Sequence, residues 1–146
     1  MSRPEVVTAA RAYIGTPYLH QGRVKGLHGG IDCVGLPVGV AWDLGLKARE
    51  WNVTGYRRLP DGVTLMRQIR PLMAHEVPQT EMAPGDLLVI AWDRFPHHVG
   101  ILGDHSGGLS IIHADNRRGE VVEQRLVLAA GMKFVAAFRF PEVAHV

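Results

Sequence analysis

Apolar residues recur at helical spacing in the first half of the chain, whereas the second half contains short, strand-like runs. The opening segment predicts a helix that starts with a capping box of Ser2 and Glu5 and ends at Gly15-Thr16-Pro17. Its apolar stripe consists of Val6, Ala9, Ala10, Tyr13 and Ile14. Glycines then interrupt any apolar period between Tyr18 and Ile31, which predicts an irregular loop of the size that functional loops have.

Two further helices are predicted before the strand-like runs begin. The first extends from Cys33 to Leu44, with Asp32 as its N-cap and Gly45 as its C-terminal stop. Asp61 is the predicted N-cap of the next helix, whose apolar face is formed by Leu65, Ile69, Leu72 and Met73.

Five β-type runs separated by turn residues follow, at residues 86–92, 98–103, 109–114, 120–126 and 133–140. Helices followed by strands predict an α+β fold in which N-terminal helices pack on a mostly antiparallel β-sheet. We expect residues 1–146 to form a single domain, because no internal repeat or change in composition divides them.

The composition restricts the class of protein. The chain has 146 residues, of which 47% are hydrophobic and 21% charged, as in a folded globular domain. A formal net charge of +2 implies no dense basic patch, so we expect no nucleic-acid partner. No apolar run reaches the roughly 18 residues that span a membrane, and the start lacks a signal-peptide pattern. We therefore expect synthesis in the cytoplasm and no membrane insertion.

Cys33 is the only cysteine, which excludes an internal disulfide and a multi-cysteine zinc site. A lone cysteine is often a small buried hydrophobe. At a helix N-terminus, however, the thiolate is favoured, and a nearby imidazolium favours it further. His98 and His113 lie on successive predicted strands and are candidates for a base and its orienting partner. The sequence contains no recognised metal-ligand spacing, so we expect no metal or other cofactor.

The turn after Gly103 decides whether the two histidines meet. A four-residue turn pairs Gly103 with Gly108 and therefore His98 with His113, whose Cβ atoms would lie about 4.5 to 5.5 Å apart. A five-residue turn offsets them. His97 points to the opposite face in either case.

Five short segments, in this order, resemble the signatures of the NlpC/P60-type family of cell-wall cysteine peptidases. They are Gly15-Thr16-Pro17-Tyr18, Asp32-Cys33-Val34-Gly35-Leu36, Pro84-Gly85-Asp86-Leu87-Leu88, His98-Val99-Gly100-Ile101 and Ile112-His113-Ala114. Each segment alone is weak evidence, but five segments in the family's order make a chance match unlikely. The stretch His20-Gln21-Gly22-Arg23-Val24-Lys25-Gly26 further resembles the branch found in phage tails and gene transfer agents.

The resemblance implies a papain-like fold and a cysteine endopeptidase that cuts the peptidoglycan stem peptide, typically between D-glutamate and meso-diaminopimelate. By position, Cys33 matches the nucleophile, His98 the general base and His113 the residue that orients the imidazole. Tyr18 matches an active-site tyrosine that assists the oxyanion hole. Asp32 is primarily an N-cap, a role compatible with contact to a substrate amine.

Three features depart from the family pattern. Val34 replaces the serine that usually follows the nucleophile. Pro37 lies where an aliphatic residue is usual, and inside a regular helix it would clash with the Cys33 carbonyl, so we expect an irregular first turn. The segment from His98 to His113 is a few residues longer than usual, which we attribute to a longer hairpin tip.

The branch resemblance also implies partners and a place of action. It implies phage-like tail-tip or hub proteins as partners, and action in the cell-wall or periplasmic space of a target cell. Two alternatives stay open. One is a structural tail-tip component with the same fold and weak or no activity, which Val34 and Pro37 favour. The other is an amidase or acyltransferase that uses the same Cys-His pair.

Overall fold

Helices in the first half of the chain pack on a sheet formed by the second half. The structure is a computed structural model that describes residues 3–57, 62–92, 95–128 and 131–142. Its helices are α1 (Pro4–Arg11), α2 (Gly35–Asp43) and α3 (Gly62–Ile69). Its strands are β1 (Arg23–Val24), β2 (Gly30–Ile31), β3 (His75–Val77), β4 (Leu87–Trp92), β5 (Phe95–Gly103), β6 (Ser110–Asp115), β7 (Glu120–Arg125) and β8 (Met132–Arg139).

The six later strands form one antiparallel sheet in the order β3-β8-β4-β5-β6-β7, and β1 pairs with β2 in a separate hairpin. The predicted α+β class and antiparallel sheet are therefore confirmed. β5 and β6 are neighbours, as two strands joined by a hairpin should be. In the described part of the chain, no helix has the length and apolarity required to cross a membrane.

The main core lies between the helices and one face of the sheet. Along β4, Leu87 and Val89 belong to this core, while Leu88 and Ile90 belong to a smaller cluster on the other face. All residues of α2 from Gly35 to Ala41 are buried. Because a helix buried on all sides lies inside a fold, α2 is the central helix of the domain.

The start of α2 differs from the prediction, since the helix begins at Gly35 rather than Cys33. Pro37 is then in its first turn, where the backbone N–H groups have no acceptor inside the helix and a missing one is harmless. The predicted stop is confirmed, because Gly45 adopts φ +72° and its N–H donates to the Trp42 carbonyl at 3.1 Å.

Other differences concern the first helix and the loop after it. The predicted apolar stripe of α1 is wrong at Ile14, which is 46% exposed because regular helix ends at Arg11. The loop predicted between Tyr18 and Ile31 contains the β1–β2 hairpin, and the Gly26 N–H donates to Thr16 Oγ1 at 2.9 Å. The loop is thus pinned to the body of the domain. The predicted caps Ser2 and Asp61 lie outside the described residues.

A buried ion pair connects the start of β4 to the end of β8. Asp86 is fully buried, and its two carboxylate oxygens accept hydrogen bonds from Arg139 Nε and Nη2, both at 2.9 Å. The Ala83 N–H donates to the same carboxylate at 2.9 Å. These donors compensate for the removal of the carboxylate from water.

Replacement of Arg139 by Gln should therefore leave a buried carboxylate without its counter-ion. We expect Arg139→Gln to lower the free energy of unfolding by about 3 kcal/mol, measured by urea denaturation. Arg49→Gln is the control, because Arg49 is 3.2 Å from Asp43 with 70% of its side chain exposed. That change should cost less than about 1 kcal/mol. Equal, small losses in both variants would contradict the buried pair's importance.

Candidate active site

Cys33 lies in the turn between β2 and the central helix. Only 9% of the residue is exposed. The backbone N–H groups of Cys33 and Val34, at the start of the helix, are close enough to favour the ionised thiol, as is that of Val99 on β5. The thiol therefore lies where the helix start meets the sheet. Val34 is 1% exposed and packs in the core.

The two predicted histidines meet each other across strands β5 and β6. His98 Nε2 and His113 Nδ1 are 2.9 Å apart, and the two rings are nearly perpendicular at 78°. Because His98 directly precedes Val99, whose backbone contacts the thiol, β5 brings the histidine pair to Cys33. The thiol and the histidine pair therefore both lie next to the same point of β5, at His98 and Val99.

The strand register that produces this pair differs from both predicted registers. Gly103 pairs with Ser110, and Ile101 with Ile112, so the strands are shifted by two residues from the direct pairing of His98 with His113. Neither the four-residue nor the five-residue turn is present, and His98 and His113 are not directly paired. A shift of two residues leaves every side chain on the same face, so the histidines meet diagonally. The cause is a longer tip, which contains a 3-10 turn at His105–Gly107.

The ring-to-ring hydrogen bond constrains the protons on both histidines. For His98 to accept a proton at Nδ1, its Nε2–H must donate to His113 Nδ1. His113 then carries its own proton on Nε2, a buried atom, and the Gln124 side chain lies close enough to favour the charged form of His113. In this tautomer, Nδ1 of His98 is the unprotonated nitrogen that a general base requires.

Burial favours the neutral form of both Cys33 and His98. It raises the pKa of the Cys33 thiol to about 12, and the negative charge of Asp32 acts in the same direction. It lowers the pKa of His98 to about 3, and the neighbouring His113 lowers it further, whereas Asp115 opposes the shift. The backbone N–H groups favour the thiolate as predicted, but desolvation outweighs them. Both shifts disfavour a preformed thiolate–imidazolium pair.

Asp32, the predicted N-cap, is 1% exposed and surrounded by donors. Its Oδ1 accepts the Gly35 N–H at 2.9 Å, which satisfies an amide at the helix start as an N-cap does. It also accepts hydrogen bonds from the Gln21 N–H at 2.7 Å, the Tyr56 hydroxyl at 2.5 Å and Arg23 Nη1 at 3.1 Å. The carboxylate thus lies in the interior, in contact with protein donors, which is a structural position and not an open substrate-binding one.

Tyr18 lies on the segment beside β2. Its backbone N–H donates to the Gly119 carbonyl at 2.8 Å, and it forms a parallel bridge with Ile31, two residues before Cys33. Its ring is half-buried and packs on the main core. These contacts fix the backbone of Tyr18 relative to the nucleophile segment.

Several residues near the site have no periodic signal in the sequence. Asp115 follows His113 by two positions on β6 and favours the charged form of both histidines. Arg23 and Tyr56 contact Asp32 from distant segments of the chain. Of the two, Arg23 alone lies in a sequence motif, the stretch from His20 to Gly26. Within the described ranges, no group of three metal-ligating side chains occurs.

Three solved structures illustrate the likeness of this fold to known proteins. NlpC1 from Trichomonas vaginalis has a TM-score of 0.64 and 16% identity, over 92% of this chain and 42% of that one. The P60 domain of the antigen MAP1204 from M. avium subspecies paratuberculosis has a TM-score of 0.58 and 19% identity, over 97% and 95% of the two chains. An N-acetylmuramoyl-L-alanine amidase from Bacteroides uniformis has a TM-score of 0.51 and 12% identity, over 95% and 98%.

At these low identities, the TM-scores show a shared fold and no more. This chain covers less than half the length of the Trichomonas protein. A search of curated proteins finds no match. The model of the NlpC/P60 family, in contrast, matches residues 15–133, a range that includes Cys33, His98 and His113. The matched range is well over half of the sequence, and the chain therefore belongs to the NlpC/P60 family.

Proposed function

We propose that this chain is a cysteine endopeptidase that cleaves the stem peptide of peptidoglycan at the bond between D-glutamate and meso-diaminopimelate. The observation that carries the proposal is the His98–His113 hydrogen bond of 2.9 Å beside Cys33, in a chain of the NlpC/P60 family. The fold shared with a P60 domain and with a muramoyl amidase supports a cell-wall amide as the substrate class.

In the proposed reaction, the thiol proton moves to His98 Nδ1 as the sulfur attacks the amide carbon. His113 accepts the hydrogen bond from His98 Nε2 and stabilises the imidazolium that forms. Backbone N–H groups at the helix start, with the Tyr18 hydroxyl, bind the oxyanion. His98 then protonates the leaving amine, and the imidazole activates the water that hydrolyses the thioester.

The burial of both groups is consistent with this order of events. Burial raises the pKa of the Cys33 thiol and so disfavours a resting thiolate, and in the proposed reaction the nucleophile forms by proton transfer to His98 as the sulfur attacks. An uncharged pair in a buried site also avoids the cost of two desolvated charges before substrate arrives. In this proposal, His98 acts as a general base, and the thiol and imidazole are uncharged before substrate binds.

Delivery by a phage-like tail is the second part of the proposal. The segment from His20 to Gly26 supports it through its resemblance to the tail and gene-transfer-agent branch. Tail-tip or hub proteins would be the partners, and the target cell's wall or periplasmic space would be the place of action.

An amidase is the alternative that a specific observation favours, because the Bacteroides amidase and this chain cover nearly all of each other. The Cys33 sulfur, with His98 as the base, would then attack the amide bond between muramic acid and the stem peptide. A structural tail component is the remaining alternative, in which the site is inactive.

Mass spectrometry of digested peptidoglycan separates these functions. We expect wild-type protein, but not Cys33→Ala, to release from Gram-negative-type peptidoglycan a peptide that begins with diaminopimelate. Release of whole stem peptides by the wild type alone would replace the endopeptidase with an amidase. Identical digests from both proteins, within assembled particles as well, would leave only the structural role.

His97 and His98 form a matched pair of positions for testing the base. They are adjacent on β5 and point to opposite faces, and the buried Nδ1 of His97 has no hydrogen-bond partner among the described residues. We expect His98→Ala to lower kcat by at least about 100-fold. His97→Ala should leave kcat nearly unchanged, measured on a purified muropeptide. Equal losses in both variants would refute the assignment of His98.

Alkylation of Cys33 tests the neutral resting thiol. The rate of reaction with iodoacetamide should rise without a plateau from pH 7 to pH 10, because the thiolate fraction grows about tenfold per pH unit below the pKa. Cys33→Ala is the blank, since the chain has no other cysteine. A plateau reached by pH 7 would instead indicate a preformed thiolate–imidazolium pair.

A further inference from the structure

Arg23 lies in the interior next to the nucleophile segment, although the proposed reaction does not use it. Its side chain is 9% exposed. Nη1 donates to Asp32 Oδ1 at 3.1 Å and to the Gly22 carbonyl at 2.7 Å. Nη2 donates to the Val53 carbonyl and to the Tyr56 hydroxyl, both at 2.7 Å, and Nε donates to Asn52 Oδ1 at 3.0 Å. These three acceptors lie in the segment after α2. Five acceptors therefore surround one guanidinium, which matches its five N–H donors.

Arg23, Asp32 and Tyr56 form a closed set of hydrogen bonds. The Tyr56 hydroxyl accepts a hydrogen bond from Arg23 and donates its own proton to Asp32 Oδ2 at 2.5 Å. Asp32 Oδ1 in turn accepts hydrogen bonds from Arg23 Nη1 and from the Gly35 N–H at the helix start. Since Cys33 lies between Asp32 and Gly35, these bonds define the position of its backbone.

The helix start packs directly on the guanidinium. A Cβ atom at Gly35 would lie 3.1 Å from Arg23 Nη1 and 2.8 Å from the Gly22 carbonyl oxygen. A side chain at this position would push Arg23 away from Asp32. The glycine after Val34 is therefore needed for this contact, which joins the motif from Asp32 to Leu36 to the motif from His20 to Gly26.

The loop before Arg23 is also shaped around the carboxylate. Gln21 has φ 59°, a left-handed conformation that a residue with a side chain rarely adopts. Its N–H donates to Asp32 at 2.7 Å, and its side-chain Nε2 donates to the Tyr56 carbonyl at 2.9 Å. Two hydrogen bonds thus hold the strained residue against the same carboxylate.

Charge adds a second reason for the guanidinium. Asp32 is adjacent to Cys33, and its negative charge opposes formation of the thiolate. Arg23 is a permanent cation in contact with that carboxylate, and His20 Nδ1 lies 3.7 Å from it. The titratable or charged groups around the thiol and carboxylate are Asp32, Arg23 on β1, His20 before it, Tyr56 after α2, His98 on β5 and His113 on β6.

We propose that Arg23 is a positioning residue for Cys33: its guanidinium holds and neutralises the Asp32 carboxylate, which fixes the helix start and permits a thiolate beside it. The inference rests on the proposed function in that Cys33 is the nucleophile. It assigns a role to the motif from His20 to Gly26, which the reaction itself leaves unexplained.

The test compares the rate of Cys33 alkylation by iodoacetamide at pH 9 in matched variants. We expect Arg23→Gln to react about tenfold more slowly than the wild type, equivalent to one pH unit. Arg23→Lys keeps the charge and should recover most of the rate. Arg139→Gln is the control for lost stability, because it breaks a buried Arg–Asp pair elsewhere and should leave alkylation unchanged. An unchanged or faster rate in folded Arg23→Gln overturns the proposal.

A double variant keeps the test decisive if Arg23→Gln does not fold. Arg23→Gln with Asp32→Asn leaves no charge in this network, so its thiol should react at least as fast as that of the wild type. A slower thiol in the folded double variant overturns the charge argument. Alkylation requires no peptidoglycan, so these outcomes are independent of hydrolysis. If the variants show the expected alkylation pattern but the wild type does not hydrolyse peptidoglycan, the proposed function is refuted and the role of Arg23 is not.

Discussion

The need to keep a carboxylate in the protein interior beside a thiol governs the arrangement around Cys33. A buried charge is tolerated only when donors replace its water, and Asp32 receives them from the loop before β1, from β1, from the segment after α2 and from the helix start. Those four parts of the chain must assemble together for the carboxylate to be satisfied. The location of the nucleophile is therefore a property of the whole N-terminal half.

The sheet supplies the other half of the site through neighbouring positions of one strand. On β5, the backbone of Val99 contacts the thiol while the preceding side chain, His98, meets His113 on β6. Both contacts come from regular, hydrogen-bonded strands and not from a loop. Groups held in this way keep their geometry without substrate, which suits a pair that must exchange a proton at short range.

Much of this organisation is predictable from the order of residues, and the exceptions have physical causes. Helical and alternating periods predicted the three helices, five strands of the sheet and the class of fold, because they report which face is buried, but they did not predict β1, β2 or β3. The sequence also identified His98 and His113 as a candidate pair on successive strands. It did not predict their register, because composition does not reveal that the tip contains a 3-10 turn. Arg23 and Tyr56 were not predicted as partners of Asp32, since contacts between distant segments leave no periodic signal.

A thiol kept in its neutral form has a consequence for chemical durability. Oxidation of cysteine proceeds through the thiolate and requires access to solvent, and Cys33 offers little of either. The burial that disfavours the thiolate therefore also slows sulfenic acid formation and mixed-disulfide exchange. This protection matters in a chain with a single cysteine, because no second thiol is present to resolve an oxidised form.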